Sequence, residues 1–136
     1  MAIIGSALQR PLAIMMNRRI LSVAASAPVI EAARTMQAAK VGALLVSEES
    51  RWVGIVSESD LVRSVLAVGG DARQVRVSEV MTTPLITIES TRSAHEASDV
   101  MAERAIRHLA VTDQGRIVGM LSVRDLLRYF KNWGGS

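Results

Sequence analysis

Apolar and polar positions along this chain alternate in short runs and twice give way to a helical period. Residues 20–23 read as a short alternating strand followed by a turn. From Val29 onward the apolar positions are Val29, Ala32, Ala33, Met36 and Ala39, the spacing of one helix face, with Pro28 near the helix start. Two apolar runs, 42–46 and 52–56, flank the polar turn 47–51 and predict a pair of strands. A second helix is expected from about 59 to 68. The same order then returns, beginning with a strand at 85–88 and a helix striped by Ala94, Ala97, Val100 and Met101. Strands at 108–111 and 117–121 follow, around a turn at 112–116 with Gly115 at its tip, and then a helix from about 123 to 131.

The recurrence is literal. Residues 16–63 align without a gap on residues 81–128, an offset of 65 positions. Identical pairs include Met16/Met81, Glu31/Glu96, Met36/Met101, Leu44/Leu109, Val46/Val111, Gly54/Gly119, Ser57/Ser122, Asp60/Asp125 and Arg63/Arg128. Each copy reads strand, helix, strand, strand, helix, which implies a mixed α/β fold with a sheet covered on one face. One copy is too small to bury a core alone, so the two are expected to pack about a pseudo-twofold axis. The boundaries read from the pattern are an N-terminal extension at 1–11, a first motif at 12–67, a linker at 68–76, a second motif at 77–131 and a tail at 132–136. Similar turns precede both copies, at 12–16 and 77–81. Ile4, Leu8 and Leu12 would form an apolar stripe if helical, packing on their own domain or serving a dimer contact.

Composition narrows the classes. The 136 residues are 49% hydrophobic and 21% charged, an ordinary globular balance with room for one core or two half-domains sharing one. The net charge of +3 is spread evenly between the copies, and only 3% of residues are aromatic, so neither a basic face nor a stacking platform for nucleic acid stands out. The absence of cysteine excludes disulfides, thiolate catalysis and cysteine metal sites. No apolar run approaches the roughly 18 residues of a membrane span. Arg10 and Pro11 interrupt the apolar start and no basic region precedes it, so a secretory signal is a poor reading and a cytoplasmic protein is expected.

The candidate chemistry lies after the third strand of each copy. Gly54-Ile55-Val56-Ser57-Glu58-Ser59-Asp60-Leu61 is echoed by Gly119-Met120-Leu121-Ser122-Val123-Arg124-Asp125-Leu126. A hydroxyl and a carboxylate three residues apart at a strand-to-helix junction suit a capping box. The same geometry suits a ligand: a helix start with a free hydroxyl and unpaired N–H groups attracts phosphate, and an aspartate at its edge can accept both hydroxyls of a ribose. Gly54 and Gly119 would let a flat base approach the backbone. Both readings stay open on the residues alone.

This phrase, with the repeat around it, resembles the CBS domain, and residues 12–131 are similar to a stand-alone CBS pair, or Bateman module, of small bacterial proteins. The motifs that carry the likeness are Val41-Gly42-Ala43-Leu44-Leu45-Val46 with the first Ser57-to-Asp60 phrase, Met81-Thr82-Thr83-Pro84, and Arg107-His108-Leu109. The resemblance implies regulatory binding of an adenosine compound in the cleft between the copies, in a homodimer of pairs. Family ligands include AMP, ADP, ATP, NAD(H) and S-adenosylmethionine, and some members bind none. Carried over by position, a preferred nucleotide site comprises Thr83, Pro84, Ile86, Arg107, His108, Leu109, Ser122, Arg124 and Asp125. A weaker site comprises Arg18, Ile20, Val41, Gly42, Ala43, Leu44, Ser57, Ser59 and Asp60. The second copy is preferred because Arg107-His108 stands where the first has Gly42-Ala43, and Arg124 where it has Ser59; two guanidinium donors and an imidazole favour a dianionic phosphate. The bland alternatives are a hydrogen-bonded edge role for His108 and an exposed pair of Arg107 with Glu103.

Catalysis is not expected. His95-Glu96-Ala97-Ser98-Asp99 lacks the second histidine of a zinc-binding helix, and two histidines without cysteine assemble neither a nucleophile with its base nor a metal cage. The leading expectation is a regulatory nucleotide-binding module with no cofactor or metal, acting on a separate protein partner, with no membrane and no nucleic acid. The rival is a dimeric interaction scaffold whose nucleotide sites are vestigial or empty.

Overall fold

The structure, a computed structural model, describes residues 11–134. Ile4 and Leu8 of the expected N-terminal stripe lie outside the described residues. The chain forms two compact units, Leu21–Leu85 and a second built from residues 86–134 together with residues 11–20.

In the first unit, β1 (Ser22–Ala24) pairs parallel with β2 (Ala43–Glu48), and β2 pairs antiparallel with β3 (Arg51–Ser57). The crossover from β1 to β2 is α1 (Val29–Ala39), whose Val29, Ala32 and Met36 turn inward on Leu44, Val46 and Val56. After β3 comes a short α2 (Glu58–Leu61) that continues as a π-helical turn, Val62–Leu66, and later α3 (Val77–Val80). The second unit repeats the pattern: β4 (Thr87–Glu89) parallel to β5 (His108–Asp113), β5 antiparallel to β6 (Arg116–Ser122), with α4 (Ala94–Arg104) as the crossover. It closes with α5 (Val123–Tyr129), which also passes into a π-helical turn, Phe130–Gly134. Both second helices are thus shorter as α-helix than their apolar spacing suggested.

The hairpins are tighter than the five-residue polar turns expected. Glu48 pairs with Arg51 and Asp113 with Arg116, leaving two-residue loops. Both loop residues have positive φ in each case, 50° and 65° at Glu49 and Ser50, 53° and 79° at Gln114 and Gly115. Such loops match the twist of the flanking strands, which here outweighs the left-handed strain at three non-glycine positions. Each hairpin also carries one bulge, where the register shifts after Val46 and after Val111.

The helix starts are capped by different means. At α4 the Ser93 hydroxyl accepts from the Glu96 N–H at 3.2 Å while Glu96 accepts from the Ser93 N–H at 3.2 Å. That backbone bond, opposed by desolvation and supported by the neighbouring Arg92 charge, holds the Glu96 carboxyl below its usual range. The support is therefore present above the ordinary glutamate pKa and fades as the pH falls through the lowered one. Pro28 gives α1 no such side chain, and the segment after α2 serves instead: the Val75 and Ala72 carbonyls accept from the Val29 and Ile30 N–H groups at 2.8 and 2.9 Å. The stretch read as a linker at 68–76 is thereby part of the first unit's core, with Ala72 and Val75 packed against it.

Lead-in segments pack with the copy to which they do not belong in sequence. Leu12, in a 3-10 turn at Leu12–Ile14, and Met16 are buried with Leu109, Val111, Leu121 and Leu126 of the second repeat. Their counterparts Val77 and Met81 join Val23, Val29, Leu44 and Val56 of the first. The backbone repeats the exchange. Asn17 N and O bond Met120 O and N at 2.8 and 2.9 Å, and Thr82 N and O bond Ile55 O and N at 2.8 and 3.1 Å. Close approach at these bridges explains why both repeats have glycine at this position. A Cβ on Gly119 would meet the Asn17 carbonyl at 2.9 Å, and one on Gly54 the Thr82 carbonyl at 2.7 Å. The room left by these glycines is filled by the chain's own lead-in segment rather than kept for a base.

Leu12 has no exposed surface, so truncating it leaves a cavity. Leu12→Ala is predicted to destabilise by about 3 kcal/mol. Native-state hydrogen exchange should show lost protection in β5 and β6, although Leu12 belongs in sequence to the first repeat; loss confined to β2 and β3 would contradict the exchange.

Candidate functional site

The two strand-to-helix junctions hold the candidate residues, and the sheet register assembles them. Ala43 lies opposite Ser57, and His108 opposite Ser122. The Gly42 carbonyl accepts from the Glu58 N–H at 2.9 Å, and the Arg107 carbonyl from the Val123 N–H at 2.9 Å. The first residues of β2 and β5 therefore stand beside the helix starts, as the spacing suggested. The expected set of unpaired helix N–H groups is not there, because those bonds and the serine caps use most of them: Asp60 N donates to Ser57 Oγ at 3.2 Å and Asp125 N to Ser122 Oγ at 3.1 Å. The capping-box reading is thus correct at both junctions. It does not by itself consume the carboxylates.

What consumes a carboxylate differs between the copies. Asp60 is only 4% exposed, and its oxygens are crowded with donors. Oδ2 accepts from Ser57 N at 2.9 Å and Ser57 Oγ at 3.1 Å; Oδ1 accepts from Thr82 Oγ1 at 3.1 Å and pairs with Arg63 Nη2 at 3.4 Å. Asp125 is half-buried, and its Oδ2 accepts from Ser122 N at 2.8 Å. Its Oδ1 has no donor among the described residues, and neither does the Ser122 hydroxyl hydrogen have an acceptor there. Arg128, the counterpart of Arg63, forms no ion pair with Asp125 among them.

The exchange of lead-in segments also regroups the candidates. Thr83 and Pro84, read from sequence with Asp125, lie in the unit of Asp60, and Arg18 and Ile20, read with Asp60, lie in the unit of Asp125. Within the compact units that grouping is reversed. Ile86, Arg107, His108, Leu109, Ser122 and Arg124 stay with Asp125, and Val41, Gly42, Ala43, Leu44, Ser57 and Ser59 with Asp60. Arginine therefore collects on one side: Arg18, Arg107 and Arg124 are all exposed in the Asp125 unit, where Arg18 donates to the Ala13 carbonyl at 3.1 Å. The guanidinium groups of Arg107 and Arg124 have no carboxylate partner among the described residues, so the alternative of an Arg107–Glu103 pair is not realised there. Leu44 and Leu109 are fully buried in the two cores and Ala43 is 8% exposed. Val41 and Ile86 are half-buried against their cores, Ile20 is half-buried, and Ser59, Thr83 and Pro84 are exposed.

Sequence reasoning passed over Thr82, Arg63 and Asn17 as site residues. The signal was available in the repeat: Thr82 stands at the offset of Asn17, and an unlike pair beside a like pair of aspartates marks the copies as chemically unequal. Among the described residues no group of His, Asp and Glu is arranged to hold a metal ion, and no helix is long and apolar enough to cross a membrane.

Comparison with known proteins agrees with this architecture. A sequence model described as "CBS domain" matches residues 12–67 and again 77–132. The CBS domain-containing protein YhcV of Bacillus subtilis is 34% identical over 111 residues, covering 82% of this chain and 79% of its own length. Other curated relatives are longer, and the chain spans 58% and 51% of two of them. Among solved structures, a protein with CBS domains from Burkholderia ambifaria superposes with a TM-score of 0.79 at 34% identity, over 82% of each chain. A CBS domain protein from Pyrobaculum aerophilum, solved in complex with AMP, gives 0.75 at 28% identity over 85% of this chain and 88% of that one. Two matched repeats, two three-stranded mixed sheets and relatives of both sequence and fold lead to one conclusion: the chain belongs to the CBS domain family and carries that domain twice.

Proposed function

We propose that this chain is a regulatory module that binds an adenosine nucleotide, of the AMP, ADP or ATP class, at the edge bearing Asp125, and that it reports occupancy to a separate protein partner. The observation that carries the reading is the inequality of the two carboxylates. Asp125 keeps an oxygen for a ribose hydroxyl, Ser122 keeps a hydroxyl hydrogen for a phosphate oxygen, and the guanidinium groups of Arg107 and Arg124 face no internal carboxylate. Guanidinium forks bind phosphate in two-point fashion, so charge and geometry favour a phosphorylated ligand over a neutral nucleoside. The AMP bound to the Pyrobaculum relative supports the adenosine class. An adenylate of about 23 heavy atoms at about 0.3 kcal/mol each reaches about 7 kcal/mol, a dissociation constant of about 10 μM. Such a ligand moves the protein between states only by its differential affinity for them.

A second reading, self-association as an interaction scaffold, is favoured by one feature. Val62 and Leu127 occupy the same position in the two repeats and are 53% and 65% exposed, and Leu66 is 70% exposed. Apolar side chains repeated on the outer face of both second helices suit a protein surface better than water.

Each reading has its test. With ligand stripped by unfolding and refolding, thermal shift against AMP, ADP, ATP, NADH and S-adenosylmethionine should give several degrees with an adenosine nucleotide at a hundred times its dissociation constant, equivalent to about 2.7 kcal/mol. Asp125→Ala should abolish that shift; an unchanged shift would remove Asp125 from the ribose. For the scaffold, Leu127→Glu should turn a sedimenting dimer into monomer with the helical spectrum retained, and a dimer that survives the substitution would exclude this face.

A further inference from the structure

We infer that Thr82 is a specificity-determining residue, the one that limits this pair to a single nucleotide by keeping the Asp60 carboxylate occupied from within. This rests on the reading of Asp125 as the ribose acceptor and extends it to the other copy. A ribose binds such an aspartate by donating hydroxyl hydrogens to it. At Asp60 that donor is already present: Thr82 Oγ1 lies 3.1 Å from Oδ1 and 3.4 Å from Oδ2, a bridge across both oxygens. Arg63 and the Ser57 hydroxyl add two more donors, and the carboxylate is left with almost no surface. A nucleotide entering there must break the Thr82 bond to gain an equivalent one, so the exchange yields no net hydrogen bond.

The opposite junction is the internal control. Asn17 occupies the place of Thr82, held by the same two backbone bonds to the third strand of its unit. Its side-chain oxygen instead accepts from the Arg19 N–H at 2.9 Å, in a turn that uses the side chain locally. Asp125 keeps Oδ1 for a ligand. With serine, aspartate and the following arginine identical in the two phrases, the lead-in residue is what makes one carboxylate closed and the other open.

The experiment is isothermal titration with AMP and with ATP on the full chain and on single and double variants of Asp60, Thr82, Asn17 and Asp125. Thr82→Val keeps the shape and both backbone bonds of Thr82 but removes the hydroxyl, and Asp60 stays capped by Ser57, so the fold is retained. Unmodified protein should bind one nucleotide per chain, lost in Asp125→Ala. Thr82→Val should bind two, and adding Asp60→Ala should return it to one. Asn17→Thr should install the same bridge at Asp125 and weaken binding about tenfold, which tests the idea even if Thr82→Val does not fold. A Thr82→Val protein that still binds one nucleotide, lost with Asp125→Ala, overturns the inference and leaves the ribose reading standing; so does unmodified protein that already binds two, one of them lost in Asp60→Ala. Absence of binding in every variant overturns the ribose reading and this inference with it.

Discussion

The structure depends on one pairing made twice: a lead-in residue exchanges two backbone hydrogen bonds with the third strand of the repeat it does not belong to in sequence. Asn17 with Met120 and Thr82 with Ile55 fix where each segment lies, and the buried Leu12, Met16, Val77 and Val80 anchor it. Hydrogen bonds of this kind contribute only about 1 kcal/mol each, so the apolar anchors carry most of the energy and the bonds supply the register. Gly54 and Gly119 are the sequence's concession to that register, since any side chain there would strike the lead-in backbone.

From this exchange the inequality of the two sites follows. Near-identical phrases, Ser57 to Asp60 and Ser122 to Asp125, receive unlike neighbours because the two lead-in segments differ. One delivers Thr82, which bridges a carboxylate; the other delivers Asn17 followed by Arg18 and Arg19, which leave a carboxylate open in a unit that already holds Arg107 and Arg124. A duplicated fold has thereby become two chemically distinct halves with little change in the core. Packing needs only apolar volume, which Val/Ile and Leu/Val exchanges preserve. Ligand recognition needs particular donors and acceptors at a few points, and there the copies diverge.

Much of this was legible in the residues. Periodicity located every strand and both crossover helices, because Val29, Ala32 and Met36 and their counterparts have no other way to be buried together. The Ser-x-x-Asp phrase announced both a cap and a carboxylate at a strand-to-helix junction. Three things were not legible. Glu49 and Ser50 carry no glycine, so nothing local announced a two-residue loop with positive φ. The lead-in exchange is a long-range preference between two similar sheets, and a repeat cannot say which copy a segment will choose. The closing of Asp60 depends on that choice, so the pairing of Thr83 and Pro84 with Asp125, natural from sequence order, came out reversed within the units.

On the function proposed above, Asp125 and not Asp60 meets the ribose. The most direct measurement is a crystal structure of the chain grown with AMP. The predicted result is ribose hydroxyls on the Asp125 carboxylate, phosphate against Arg107 and Arg124, and the Thr82 to Asp60 bond unbroken. Ribose on Asp60 with the Thr82 hydroxyl displaced, or adenylate bound clear of both aspartates, would contradict it.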